Sequence, residues 1–288
     1  MKIPEGLSAL GRSAQGRAWL DTVPARFDQA VERWSLRVGR PYAYAYVSLA
    51  VPARLPDGTQ AVLKLAFPHR ESRHEAAALR LWGGEGAIRL LDHDPDSDAL
   101  LLERCSPGTP LSRAGADEAL AVLIGLLPRL WRPAGPPFTP LSEEAAWWAG
   151  YLEDRWERAR RPFPRSLLDA ALNALNSLPG SQGQQVLVNQ DLHAGNVLRA
   201  RREPWLVIDP KPLAGEREFG VAAIVRGGEL GHGRAQVLNR LDRLCAELGL
   251  DRERARAWTL AQTLAWSFDG EAVHPGHLDV ARWLHEAP

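Results

Sequence analysis

Lysine and cysteine are scarce in this 288-residue sequence, which has two cysteines and only three lysines (Lys2, Lys64 and Lys211) beside 32 arginines. Cys105 and Cys245 form no metal-spaced cluster and are too few for a disulfide framework, so both read as free thiols. Net charge is also missing. Lys and Arg number 35 and Asp and Glu 35, and neither sign collects in one half of the chain. That balance excludes the basic excess of a nucleic-acid binder or an anionic-membrane binder. The longest apolar run, from Ala119 to Leu127, falls well short of the ~20 residues a bilayer span needs, and the first residues hold no apolar stretch of signal-peptide length, so a cytoplasmic protein is expected. No repeat is visible, which removes solenoids and propellers, and no Walker A sequence occurs, which removes P-loop enzymes. What is present is 45% hydrophobic residues, enough for a core in one large or two medium domains.

Periodicity divides the chain. Phe27, Ala30, Val31 and Trp34 share a helical face behind Pro24, which suits a helix's first turn. Strand-like patterns follow over Ser35–Val38, Tyr46–Arg54 and Gln60–Leu65, the last two joined by the hairpin signal Asp57-Gly58. A helix is expected from Glu71 to Trp82, capped by Gly83-Gly84, then short strands over Ile88–Leu91 and Ala99–Glu103. The Ser106-Pro107-Gly108-Thr109-Pro110 segment reads as a linker, giving domains of 1–105 and 106–288. Beyond it helices are expected near 115–131, 142–160, 165–178, 216–226, 233–249, 251–268 and 278–286. One β insert interrupts them, with strands at Gln185–Val188, Asn196–Arg199 and Trp205–Ile208. The class is α+β, with an antiparallel five-stranded N-terminal part carrying a helix and a mainly helical C-terminal part.

The most informative stretch is 188–211. Asp191 and Asn196 are five apart, and Asp209 lies on a strand that can return antiparallel to 196–199, which brings Asn196 and Asp209 together. A carboxylate and an amide oxygen side by side suit Mg²⁺ holding nucleotide phosphates, and Asp191 is placed to accept a hydroxyl proton. Asp-x-x-x-x-Asn followed by an Asp at a strand end matches the kinase catalytic loop and metal-binding Asp. Upstream, Lys64 in Ala-Val-Leu-Lys sits on the third strand, where kinases carry the phosphate-contacting Lys, and Glu75 on the next helix is placed to pair with it.

Four strings extend the match: Asn-Gln-Asp-Leu-His-Ala-Gly-Asn-Val-Leu, Arg-Glu-Pro-Trp-Leu-Val-Ile-Asp-Pro-Lys-Pro, His-Glu-Ala-Ala-Ala-Leu-Arg-Leu-Trp and Leu-Leu-Leu-Glu-Arg-Cys-Ser-Pro-Gly. Through them the chain resembles the aminoglycoside phosphotransferase family, most closely its streptomycin 6-kinase branch, over roughly residues 30–270. The resemblance implies a protein-kinase-like bilobal fold and transfer of the ATP γ-phosphate to a hydroxyl of an aminocyclitol antibiotic, conferring resistance. It implies that Lys64 holds the α/β-phosphates, that Glu75 orients it, and that Glu103, Arg104 and Cys105 form the hinge against adenine. It further implies Asp191 as catalytic base, Asn196 and Asp209 as Mg²⁺ ligands, and His193 as a phosphate contact.

The sequence departs from the family pattern at Asn189, where a His is usual, and at Gly220, where an Asp usually supports the catalytic loop. No Gly-rich G-x-G-x-x-G joins the first strands, which leaves more of the phosphate charge to Lys64 and Mg²⁺. A cationic acceptor requires carboxylates, and among Glu143, Glu144, Asp154, Asp269 and Glu271 the preferred pair is Asp269 and Glu271. Trp147 and Trp148 cannot both face the core, so one is open to an acceptor cleft, with core or lobe-interface packing the preferred reading. Other acceptors stay open (hydroxyurea, an amino sugar or an amino alcohol), as do a catalytically impaired nucleotide-binding module and the oligomeric state. Lys211, two residues after Asp209, reads equally as a surface cation or a site residue. In a chain that uses Arg almost everywhere, Lys64 stands where a compact ammonium is needed.

Overall fold

The computed structural model describes residues 3–43 and 47–287; Lys2 and Tyr46, the first residue of an expected strand, lie outside the described residues. The chain forms two compact units. One runs to Gly108 and includes Ala200–Leu206; the other comprises Thr109–Arg199 and the chain from Val207.

In the first unit, helix α1 spans Ala14–Arg33, and the Ser13 side chain caps it by accepting the Gly16 N–H at 2.9 Å. Gly16 is required by close approach, because a Cβ there would lie within 1.9 Å of the Leu10 carbonyl oxygen. Pro24 therefore sits inside the helix and does not open it. The buried stripe of Trp19, Val23, Phe27 and Ala30 continues through the proline, and its burial outweighs the lost hydrogen bond.

Five strands follow: β1 (Arg37–Val38), β2 (Ser48–Arg54), β3 (Gln60–Ala66), β4 (Leu90–Asp94) and β5 (Ala99–Glu103). They form one antiparallel sheet in the order β1-β2-β3-β5-β4, with Lys64 of β3 opposite Ala50 and Leu100. β4 lies later than the expected Ile88–Leu91, and its register shifts between Leu90 and Asp92. The acidic run is thus partly strand, because buried Asp94 is satisfied by the Ser97 hydroxyl at 2.6 Å. The expected helix from Glu71 is split as well. Arg70–Ser72 makes a short 3₁₀ turn, His74 takes a left-handed φ of 67°, and α2 runs only from Glu75 to Trp82. The Ser72 hydroxyl is within 3.0 Å of the His69 carbonyl and so competes with helix continuation. Gly83, at φ 58°, closes α2 as its sequence suggests.

From Thr109 onward come α3 (Ala116–Leu130), α4 (Leu141–Arg158), α5 (Arg165–Ser177), β6 (Val186–Asn189), β7 (Val197–Arg199), β8 (Trp205–Val207) and β9 (Pro212–Gly215). After them come α6 (Ala222–Arg226), α7 (Arg234–Leu248), α8 (Arg252–Ala265), the β10 (Phe268–Asp269) and β11 (Ala272–Val273) hairpin, and α9 (Pro275–His285). Helix α8 packs against α4, α5, α6, α7 and α9, and its interior run from Trp258 to Ala265 is buried all round. Strand β9 was not expected. It pairs antiparallel with β6, Asn189 opposite Pro212, although Pro and Gly are poor strand formers. Its glycine lets α4 approach, since a Cβ on Gly215 would stand 2.8 Å from Leu141. The expected helix 216–226 is shortened accordingly to a 3₁₀ turn at Phe219–Val221 followed by α6.

Candidate active site

In the first unit the only described lysine, Lys64, is 5% exposed and donates to both Glu75 oxygens at 2.7 and 2.6 Å; Glu75 is 4% exposed. Strand β3 supplies the ammonium and the first residue of α2 supplies the carboxylate. A buried pair of this kind holds a long side chain in one pose. At the end of β5, the Glu103 carboxylate accepts from Arg202 (2.8 to 3.2 Å) and from the Arg89 N–H (2.9 Å), and its own N–H donates to the Arg89 carbonyl. Glu103 therefore ties the 200–206 segment down through its side chain. Its carboxyl lies below the usual range: burial opposes the ionised form, and the Arg202 and Arg89 hydrogen bonds outweigh it. Burial pushes the neighbouring Cys105 thiol up to about 12, assisted by the Glu103 charge.

In the second unit the 189–196 loop leaves β6 and is stitched from both sides. The Asn189 Oδ1 accepts the N–H of Asp191 (3.1 Å) and of Lys211 (3.0 Å), so this amide organises the loop. The Gln190 carbonyl accepts from Gln262 of α8 at 2.9 Å, and Gln262 accepts from Arg226 at 3.0 Å. This buried amide chain supplies loop support independent of residue 220. Gly220 itself has no room for a side chain: a Cβ would lie 2.9 Å from Trp131 Nε1 and 3.4 Å from Val188. Phe219 beside it is buried against Trp148 and Trp258, with ring centroids 5.9 and 5.6 Å apart.

The Asp191 carboxylate lies 3.0 Å from Lys211 Nζ, and that ammonium stands 5.1 Å over the Trp266 ring. Lys211 thus belongs to the loop's chemistry. Its signal in the sequence was the rarity of lysine, which placed it no better than an even choice. The Asn196 Nδ2 donates to the Asp191 carbonyl at 3.2 Å, which fixes the amide's orientation and reserves Oδ1 as an oxygen donor. The Ile208 N–H donates to the Asn196 carbonyl at 2.9 Å, which brings the next residue, Asp209, beside that turn with a left-handed φ of 50°. One amide oxygen and one carboxylate suit a hard divalent cation that also takes phosphate oxygens. Among the described residues no set of three His, Cys, Asp or Glu is placed to hold a metal.

His193 caps the 3₁₀ turn at Ala194–Asn196, accepting the Gly195 N–H at Nδ1, and lies 3.7 Å from Glu229. Asp269 and Glu271 sit on the exposed β10–β11 hairpin. Trp148 is fully buried, and Trp147 is 44% exposed, edge-on to Tyr151 at 4.9 Å.

A buried Lys–Glu pair on a five-stranded antiparallel sheet, and an Asp-x-x-x-x-Asn loop followed by Asp209 with Lys211 paired to its first Asp, are the arrangement of a protein-kinase-like phosphotransferase. The sequence model of the aminoglycoside/hydroxyurea antibiotic resistance kinases matches residues 33–268, and the chain belongs to that family. It is 40% identical over 297 residues to a streptomycin 6-kinase of Streptomyces griseus, covering 98% of this chain and 96% of that one. It is 41% identical over 271 residues to a hydroxyurea phosphotransferase of Kitasatospora aureofaciens, covering 91% and 78%. A solved aminoglycoside phosphotransferase, in ternary complex with AMP-PNP and hygromycin B, shares the fold with a TM-score of 0.58 at 17% identity, covering 89% of this chain and 94% of that one. No helix of the described residues is long and apolar enough to cross a membrane.

Proposed function

We propose that this kinase transfers the γ-phosphate of ATP to a hydroxyl of an aminoglycoside, namely the 6-hydroxyl of streptomycin, and so confers resistance to that antibiotic. The observation that carries the reading is 40% identity to a streptomycin 6-kinase across nearly the whole of both chains. Asp191 accepts the proton of the acceptor hydroxyl as its oxygen attacks the γ-phosphorus, and the bond to the ADP oxygen breaks in line. Lys211, 3.0 Å from Asp191, orients that carboxylate. Lys64, held by Glu75, contacts the α/β-phosphates, and the backbone around Glu103 and Cys105 faces the adenine. His193 contributes a phosphate contact. Asn196 and Asp209 would hold Mg²⁺, which when bound neutralises charge on the phosphates.

Expression in a streptomycin-susceptible cell, with a coupled ADP-release assay over a panel of acceptors, tests the reading. Resistance together with streptomycin-dependent ADP release is the expected result. The hydroxyurea phosphotransferase relative, equally similar in sequence, supports a second reading in which hydroxyurea is the acceptor; release of ADP with hydroxyurea and not with streptomycin would select it. Binding of Mg-ATP with no transfer to any member of the panel would instead mark an impaired nucleotide-binding module.

A further inference from the structure

A cavity of about 310 Å³ opens in the second unit beside His193, lined by His193, Arg226, Glu229, His232, His274 and His277 together with small residues. Glu229 is the one carboxylate among its described lining residues. Its Oε1 accepts the Ala194 N–H at 2.9 Å, three residues along the chain from Asp191, and its side chain remains 25% exposed to the cavity.

The segment that carries Glu229 is held rigidly. Arg240 of α7, 3% exposed, donates to the carbonyls of Val225 (2.9 Å), Leu230 (2.9 Å) and Gly231 (2.7 Å). Those bonds clamp both ends of the Gly227-Gly228-Glu229 turn. Gly227 makes the inward fold of Glu229 possible, because a Cβ there would stand 2.8 and 2.9 Å from the two carboxylate oxygens. Arg226, which also lines the cavity, donates to Gln262 and stacks on Trp266 at 4.7 Å. His277 is held neutral, its pKa pushed down to about 4 by burial and then by Arg226 and His274. The cavity thus presents a preorganised carboxylate among groups that hydrogen-bond hydroxyls.

We propose that Glu229 is the anionic anchor for the cationic group of the acceptor, and that the same carboxylate, by holding Ala194, couples acceptor binding to the position of the Asp191 loop. This rests on the chain being a phosphotransferase with a cationic, hydroxyl-bearing acceptor. It places the anchor on the α6–α7 turn and not on the exposed Asp269 and Glu271 hairpin.

Steady-state kinetics on the full chain, with streptomycin as the varied acceptor, tests the proposal. Glu229→Gln keeps an oxygen for the Ala194 N–H and removes the charge. Its acceptor KM is expected to rise about tenfold or more, well beyond any fall in kcat, with the KM for ATP unaltered. The wild-type acceptor KM should increase with ionic strength, and that of the Gln variant should not. Gly227→Ala, which displaces the carboxylate without removing it, should raise the acceptor KM in the same way and keeps the test usable if the Gln variant fails to fold. A normal acceptor KM in either folded variant overturns the anchor, and so does a lowered kcat with KM unchanged, which would mark a merely structural role. Wild-type protein that turns over no cationic acceptor overturns the reading beneath it, that of a phosphotransferase with a cationic acceptor. Asp269→Asn paired with Glu271→Gln should leave the acceptor KM within about twofold, as exposed charges away from an anchor do; a tenfold rise there would return the anchor to the hairpin.

Discussion

Lys211 Nζ stands 3.0 Å from the Asp191 carboxylate, and a single amide, that of Asn189, accepts the backbone N–H of both residues. The acid and the ammonium are therefore aligned by one side chain that itself does no chemistry.

Lys211→Met should lower kcat by about 10² or more with little change in the KM for ATP, because the Asp191 carboxylate, proposed above as the base, loses its orientation. Steady-state kinetics at saturating ATP checks this. Asn189→Leu should lower kcat too and cost about 1–3 kcal/mol in stability, since two loop N–H groups lose their acceptor; denaturant unfolding measures the second effect.

Breaking the buried pair of the first unit should be expensive. Glu75→Ala removes the carboxylate that accepts both hydrogen bonds from the Lys64 ammonium at 5% exposure, and a measurable loss of stability in denaturant unfolding is expected. Lys64→Arg should fold yet transfer phosphate poorly, because a planar guanidinium does not replace a point charge on a flexible stem. Normal transfer by Lys64→Arg would remove the significance given to the scarcity of lysine.

Gly220→Ala should destabilise the protein by about 1–3 kcal/mol, because its Cβ meets Trp131 and Val188 in a filled core. Gly220→Asp should not raise turnover, since Gln262 and Asn189 already brace the loop. Thermal unfolding and kcat of both variants decide the matter.

His277 gives the protein an acid-sensitive element. Its pKa is about 4 in the folded chain, against an ordinary value of 6.5, with Trp266 O, Arg226 and His274 as its neighbours. The unfolded chain binds the extra proton between those values, so the contribution is complete above pH 6.5 and is lost as pH falls toward 4. The melting temperature of His277→Gln should therefore depend less steeply on pH over that window than that of the wild type.

Much of this was legible in the sequence, for identifiable reasons. The strands and α2 carry period-2 and capped helical patterns, and β5 falls at Ala99–Glu103 as read. The spacing of Asp191, Asn196 and Asp209 conveyed the loop because neighbouring backbone fixes those positions. Strand β9 escaped because Pro212 and Gly215 carry no strand signal; its stability comes from pairing with β6 and from close contact with α4. The start of α1 escaped because Ser13 and Gly16 act through a tight approach to Leu10 that periodicity does not encode. Glu229 escaped for a related reason: a turn clamped by Arg240 brings it to the 189–196 loop from 35 residues away in sequence.

The most direct test is transfer of phosphate from Mg-ATP to streptomycin by wild-type protein and by Asp191→Ala, followed by mass spectrometry of the antibiotic, with ATP binding measured in parallel. Wild-type protein should yield monophosphorylated streptomycin, and the variant should bind ATP normally while its turnover falls by about 10² or more. Undiminished turnover by Asp191→Ala, or a wild-type protein that leaves streptomycin unmodified, would contradict it.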